Sequence, residues 1–379
     1  MPKSALFAIV VLIAIPTWSF SQTPDPVGDS KPATTNVRGS EYPRVLPDRR
    51  VVFRIKAPDA KSIQIDLGKT YDLTRDSEGL WTVTTEPQGT GFHYYTLIVD
   101  GVRVADPASE SFYGMGRMAS GIEIPYGDMD AYEVQDVPHG DIRTQRYHST
   151  TTGQWRRLFL YAPPGYDRET STRYPVLYII HGGGEDARGW AQQGRTDIIL
   201  DNLIAAGKAK PMLVAMVDAN VGGGMRDMAM ENFKDELLDD IIPFVERNYR
   251  VLADREHRAL AGLSMGGLHT LYTGIKHTDL FGALGIFSSG WLPFQQETAD
   301  EYHEYLEKNR DTVNERLKPF FISQGGREDI AWENNQRMMK RFDEIGIHYE
   351  YYEYPGGHTW PVWRDNLRKM APELFRQER

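Results

Sequence analysis

Two rhythms of apolar and polar positions divide the chain. From residue 41 to about 127 apolar residues recur at every second position in short runs: "RVVFRIKAP" (Arg50–Pro58), "SIQIDLG" (Ser62–Gly68), "LWTVTTE" (Leu80–Glu86) after the turn "DSEG", and "GFHYYTLIVDG" (Gly91–Gly101), which closes on Asp100-Gly101. A period of two between turn residues predicts half-buried strands, and several such strands at short spacing predict a small immunoglobulin-like β-sandwich over 41–127. After "GDMDAYEVQDVPHGD" (Gly127–Asp141) the apolar runs become continuous: "RRLFLYAPPGY", "YPVLYIIHGGG", "MLVAMVD", "HRALAGLS", "ALGIFSS" and "PFFISQGG". Strands apolar on both faces belong in a parallel sheet covered by helices on either side. Helix-length stretches such as "ARGWAQQGRTDIILDNLIAAG" and "ENFKDELLDDIIPFVERNYR" separate them. Residues 128–379 are therefore expected to form an α/β domain around a doubly wound, mainly parallel sheet.

The N-terminus follows neither rhythm. In "MPKSALFAIVVLIAIPTWSFSQT", Lys3 precedes an apolar run from Ala5 to Ile15, and Ser19 and Ser21 then place small residues at −3 and −1. That is the form of a secretory signal over 1–21, cleaved after Ser21. Its apolar core is too short to cross a bilayer as an anchor. Residues 22–40 are rich in Pro, Ser, Thr and Gly without periodicity, and read as a flexible leader. The expected location is the periplasm or the medium, with no membrane partner after cleavage.

Composition narrows the chemistry. The 379 residues include no cysteine, which excludes thiol nucleophiles, thiolate metal sites and disulfides. An exported protein of this kind must rely on its core, which a chain of this length can supply. With 43 basic and 53 acidic residues the net charge is −10, so no basic excess exists to neutralise a nucleic acid. No H-E-x-x-H or comparable close histidine–carboxylate spacing occurs, so no metal is expected.

One motif points to nucleophilic catalysis by serine. Gly262-Leu263-Ser264-Met265-Gly266 fits G-x-S-x-G, placed between a strand ("HRALAGL") and a helix ("MGGLHTLYTGI"). That setting is the nucleophile elbow of an α/β-hydrolase, where small residues let strand and helix approach across a strained turn. In the hydrolase order an acid and then a histidine follow. His358 comes after a strand that ends near Tyr354 and a Pro-Gly-Gly turn. The acid is expected on the loop after "PFFISQGG", where Glu328 and Asp329 are adjacent; Asp329 is preferred, with Glu328 as the alternative. The "HGGG" stretch from His181 can turn backbone amides toward a developing oxyanion, and Gly183 with Met265 are the expected donors, His181 shaping the loop. It lacks the Lys-Ser/Thr ending of a phosphate loop and the spacing of a dinucleotide fingerprint. Gly222–Gly224 read as a mobile loop near the site. Trp190, Trp291, Trp360 and Trp363 fall near the presumed sheet edge, where they would either stack an aromatic acyl group or a sugar, or pack in the core.

With these residues assembled, the chain from about Asp141 to Phe375 resembles carbohydrate esterase family 1, the esterase D-like feruloyl and acetylxylan esterases. The likeness is carried by "LYAPPGYDRETSTRYPVLYIIHGGGEDARGW", "ENFKDELLDDIIPFVERNYRV", "GLSMGG" and "YPGGHTWPVW". It implies Ser264 as nucleophile, His358 as base, Asp329 as acid, Gly183 and Met265 as oxyanion donors, and no cofactor. It also implies a substrate: feruloyl or acetyl esters of plant cell-wall polysaccharide. Residues 41–127 are similar to the CBM48-like early-set domains that precede some of these enzymes, on "GFHYYTLIVDG" followed by Asp106-Pro107; Trp81, Tyr94 and Tyr95 there are expected in the core or between domains. Two rivals remain. An enterochelin-type siderophore esterase would share the triad, but its anionic substrate calls for a basic pocket that an acidic chain does not favour. A non-catalytic glycan-binding protein on the same scaffold would have no use for an intact triad.

Overall fold

The computed structural model describes residues 28–127, 130–222 and 229–376. The expected signal over 1–21 lies outside the described residues. The alternating runs form two antiparallel sheets. One contains Lys31–Pro32, Arg44–Val45, Val51–Lys56, Leu80–Thr84 and Thr74–Arg75; the other is built on Gly91–Val99, paired with Arg117–Ile124 and Ile63–Leu67. In Ile63–Leu67 the residues Ile63, Ile65 and Leu67 are buried while Gln64 and Asp66 between them are only partly so, as period two requires. They join Val51, Phe53, Tyr95, Leu97, Ile122 and Ile124 in one core. Trp81 belongs to that core and donates its Nε1–H to Ala57 O at 2.9 Å.

The leader expectation is corrected where the chain is described. Lys31–Pro32 pairs with Arg44–Val45 as an edge strand, Ser30 and Ala33 are buried, and Arg44 Nε donates to Ser30 Oγ at 2.8 Å. A two-residue edge strand has no periodicity to detect, and proline is admissible on it because the missing N–H faces outward.

The second half forms an eight-stranded sheet: β1 (Asp141–Ser149), β2 (Gln154–Ala162), β3 (Val176–Ile180), β4 (Leu213–Val217), β5 (Arg258–Leu263), β6 (Ala283–Phe287), β7 (Phe320–Gln324) and β8 (Glu350–Glu353), in the order β1-β2-β4-β3-β5-β6-β7-β8. The β1–β2 and β2–β4 pairs are antiparallel and the others parallel. Strands β3 to β7 are buried at every position, which is why their sequences read as unbroken apolar runs. Helices α1 (Met265–Gly274), α2 (Gln296–Arg316), α3 (Trp332–Ile345) and α4 (Trp360–Met370) connect or follow the later strands. The loops after β3 to β7 all emerge at the carboxyl edge of the sheet, where doubly wound folds hold their ligands.

The β5–α1 turn explains the glycines of "GLSMGG". A Cβ on Gly262 would sit 2.3 Å from the Gly266 carbonyl, and one on Gly266 would lie 2.6 Å from the carbonyl oxygens of Ile180 and His181. Backbone cannot yield as a side chain can. Gly262→Ala is expected to lower stability by about 3 kcal/mol, the upper end of overpacking costs, read as a drop in the urea midpoint. Gly183→Ala, whose Cβ would meet nothing within 4 Å, should leave that midpoint unchanged; equal losses in the two variants would overturn the packing account.

Candidate active site

Ser264 sits at φ 53° and ψ −117°, between the end of β5 and the first residue of α1. This is a region that residues with a side chain adopt only when their surroundings hold them there. Ser264 N–H donates to Phe287 O at 2.8 Å, and Ser289 Oγ donates to Ser264 O at 2.7 Å. The turn is thus pinned to the end of β6, and the side chain points up from the sheet edge.

His358 Nε2 lies 2.8 Å from Ser264 Oγ, and its Nδ1 lies 2.8 Å from Asp329 Oδ1. An ionised carboxylate only accepts, so Nδ1 carries the proton and Nε2 accepts from the serine hydroxyl. The histidine loop is held by Gly326 N–H, which donates to Gly356 O at 2.7 Å; Gly356 itself has φ 139°, a conformation glycine alone adopts readily. Asp329 is buried and also accepts from Gly325 N–H at 3.1 Å and Ala331 N–H at 2.9 Å. Burial, the largest single influence, would push its carboxyl up, but the hydrogen bonds from His358, Ser288 and Ala331 N–H, with the charge of His358, together outweigh it, and the Asp329 pKa falls below its ordinary value. Glu328 is exposed. Of the two adjacent acids, the structure brings Asp329 to His358.

Gly183 and Met265 both line the cavity that holds Ser264 and His358. Among the described residues neither backbone N–H donates to another group of the chain, which leaves both available. His181 is buried behind them; Nδ1 donates to Gly182 O at 2.8 Å and Nε2 lies 3.2 Å from Asp218 Oδ1. Gly222 lines the same cavity, while Gly223 and Gly224 lie outside the described residues.

The cavity measures about 570 Å³. Its apolar wall comes from Met265, Leu268, Leu292, Ile330 and Ala331, and Asn220, Ser288, Ser289 and Asn334 add polar atoms. None of these four polar residues was singled out from the sequence. What unites them is position, immediately after β4 and β6 or at the start of α3, and strand-end placement was the available signal.

Of the two readings of the tryptophans, core packing is the one the structure shows, and their assignment to the substrate site is corrected. None of Trp190, Trp291, Trp360 and Trp363 lines the cavity. Trp190 is fully buried and donates Nε1–H to Ile180 O at 3.0 Å. Trp360 packs edge-on against Trp190 and Trp363, at 5.3 and 5.2 Å between ring centroids. Trp363 meets the His358 ring edge-on at 5.1 Å, so it buttresses the histidine. Trp291 packs on Tyr302 beneath α2 and faces a neighbouring cleft. Trp360 and Trp363, in the first turn of α4, have their rings turned inward rather than toward the cavity.

Comparison with known proteins places this geometry in a family. Residues 149–374 match the esterase family model, described as "Putative esterase". An endo-1,4-beta-xylanase/feruloyl esterase of Xylanibacter ruminicola is 36% identical over 366 residues, covering 93% of this chain and 48% of the relative. The chain thus spans about half the length of that protein. A solved ferulic acid esterase superposes with a TM-score of 0.55 at 26% identity, over 62% of this chain and 97% of its own. The enterobactin esterase of Shigella flexneri, at 19% identity, shares the fold more extensively, with a TM-score of 0.67 over 86% of this chain and 93% of its own. The esterase match covers more than half of the chain, and the motifs "GLSMGG" and "GGHTW" fall within it; the chain belongs to the esterase family and is a carboxylic ester hydrolase with the α/β-hydrolase fold, similar to the ferulic acid esterase above.

Proposed function

We propose that this chain is an exported serine esterase that removes feruloyl groups, and secondarily acetyl groups, from esterified plant cell-wall polysaccharide such as xylan. The observation that carries the reading is the unbroken Ser264–His358–Asp329 chain of 2.8 Å contacts opening onto a mostly apolar cavity. Ser264 Oγ attacks the ester carbonyl carbon while His358 Nε2 takes its proton. The carbonyl oxygen becomes an oxyanion facing the Gly183 and Met265 amides. The tetrahedral intermediate collapses, the C–O bond to the sugar breaks, and His358 returns the proton to the leaving alkoxide. Water, deprotonated by His358, then attacks the acyl-enzyme, and a second collapse frees the acid and Ser264. Asp329 holds the Nδ1–H tautomer and faces the imidazolium formed in both halves.

Several features support a feruloyl over an acetyl substrate. A cavity of about 570 Å³ lies within the range of sites for ring-sized ligands, and its apolar wall suits an aromatic ring. Asn220 and Asn334 offer partners for ring substituents. Among the described residues no lysine or arginine lines the cavity, which disfavours a triscatecholate siderophore. The Xylanibacter ruminicola relative combines feruloyl esterase with xylanase activity in its name. The test compares methyl ferulate with methyl acetate, which share a leaving group. A kcat/KM at least about tenfold higher for the ferulate is expected, the effect of filling an apolar pocket. A preference for acetate would remove the feruloyl assignment and leave an acetyl esterase.

A further inference from the structure

Glu185 follows the three glycines of the loop that carries Gly183, and no step of the hydrolysis uses it. It is only 5% exposed, an unusual place for a lone carboxyl. Its Oε1 accepts from Tyr94 OH at 3.0 Å and from Trp360 Nε1 at 2.9 Å. Tyr94 belongs to the sandwich strand Gly91–Val99; Trp360 opens α4, just beyond His358. One carboxyl oxygen thus joins the oxyanion loop, the N-terminal domain and the histidine loop. The backbone contacts are similarly arranged. Gly184 O accepts from Gly116 N–H of the sandwich at 2.7 Å, and Glu185 O accepts from Asn220 Nδ2 at 2.7 Å. Tyr94 OH is itself fixed by Gln193 Nε2 at 2.6 Å, which also donates to Tyr113 O at 2.9 Å.

Three consecutive glycines have more conformational freedom to lose than any other tripeptide and no side chains of their own to restrain them. An oxyanion donor works only when held within tenths of an ångström of where the charge develops. The restraint therefore has to come from outside the loop. We propose that Glu185 and Tyr94 are positioning residues that hold the Gly182–Gly184 turn in register with the His358 loop, making the N-terminal sandwich a working part of the esterase site. This rests on the serine-esterase reading above. Burial pushes the Glu185 carboxyl up to about 7, against the opposing pull of His181, Tyr94 and Trp360, and its Oε2 has no partner among the described residues. A neutral group that keeps an acceptor at Oε1 therefore suits the position, and glutamine is such a group.

The experiment measures kcat, KM and the urea midpoint on 4-nitrophenyl acetate, whose small acyl group does not depend on the acyl wall. Tyr94→Phe removes only the hydroxyl, and Glu185→Ala the whole acceptor. Both should lower kcat about tenfold to a hundredfold, the range seen when a catalytic group shifts by about an ångström, with KM within about twofold. Glu185→Gln should recover most of that loss, which a merely structural defect would not predict. The proposal is overturned if folded Tyr94→Phe keeps full kcat, or if Glu185→Gln loses as much as Glu185→Ala. Ser264→Ala is assayed beside them: an active Ser264→Ala overturns the site itself, whereas an inactive one beside a fully active Tyr94→Phe overturns the positioning role alone.

Discussion

Replacing Ser264 by alanine is expected to lower kcat on methyl ferulate by about 10⁵- to 10⁶-fold, the scale on which hydrolases of this kind lose activity without their nucleophile. The substitution removes one oxygen, whose hydrogen-bond partner is His358 Nε2. It leaves untouched the backbone bonds from Ser264 N–H to Phe287 O and from Ser289 Oγ to Ser264 O, which hold the turn at its positive φ. Alanine has no more bulk than serine, so the β5–α1 packing around Gly262 and Gly266 is unaffected. The unfolding free energy should accordingly fall by no more than about 1 kcal/mol, the net worth of the one hydrogen bond to His358 that is lost. The loss would lie in chemistry rather than in folding. A residual rate above that in water is expected from the Gly183 and Met265 amides, which the variant retains. The checks are steady-state kinetics with a contamination control, and a burst of 4-nitrophenol on mixing with 4-nitrophenyl acetate, present in the parent and absent in the variant. A Ser264→Ala protein that keeps more than about 1% of kcat would rule out an acyl-enzyme on this residue, since losing the nucleophile costs far more than that.

How much of this could be read from the sequence depended on how local each signal was. The elbow was readable because its requirements are contiguous: an apolar run for β5, glycines where a Cβ would strike backbone, and a helix directly after. His358 was readable for the same reason, since the Pro-Gly-Gly turn before it marks a loop able to swing back. The acid was narrowed only to a pair, because neighbouring carboxylates look alike in sequence. The turn in which Asp329 N–H donates to Gly326 O at 2.9 Å is what directs Asp329 inward and leaves Glu328 outside. The tryptophans show the limit of placing residues by loop proximity. Trp360 and Trp363 begin α4 beside the histidine, yet that helix buries both rings against the sheet. The edge strand Lys31–Pro32 was hidden because two residues carry no period. Tyr94 was expected in the core or between domains, and it does lie between them, but its pairing with Glu185 was beyond reach. They meet across 91 positions, and nothing near either residue signals the other.

The adjacent acids allow a sharper experiment than a single deletion. Asp329→Asn is expected to reduce kcat by about 10⁴-fold, as when the acid of a Ser-His-Asp triad becomes its amide. Asparagine keeps the shape but can turn an NH₂ toward His358 Nδ1. That favours the tautomer with the proton on Nε2, where it repels the Ser264 hydroxyl proton instead of accepting it. The amide also cannot stabilise the imidazolium that forms in each half-reaction. Glu328→Gln, one position away and exposed, should leave kcat within about twofold, the scale of surface changes away from such networks. The pair also separates catalysis from acid stability. Because the folded-state pKa of Asp329 lies below its ordinary value of 3.8, its carboxylate contributes stability above that value. The contribution is lost as pH falls from there through the depressed folded-state pKa. Asp329→Asn removes it, so between pH 7 and the acid transition the unfolding midpoint of this variant should fall less steeply than that of the parent. Glu328→Gln should follow the parent. A collapse of kcat in Glu328→Gln with Asp329→Asn still active would exchange the two roles, and the histidine would then have to adopt a loop conformation other than the one that puts Nδ1 2.8 Å from Asp329.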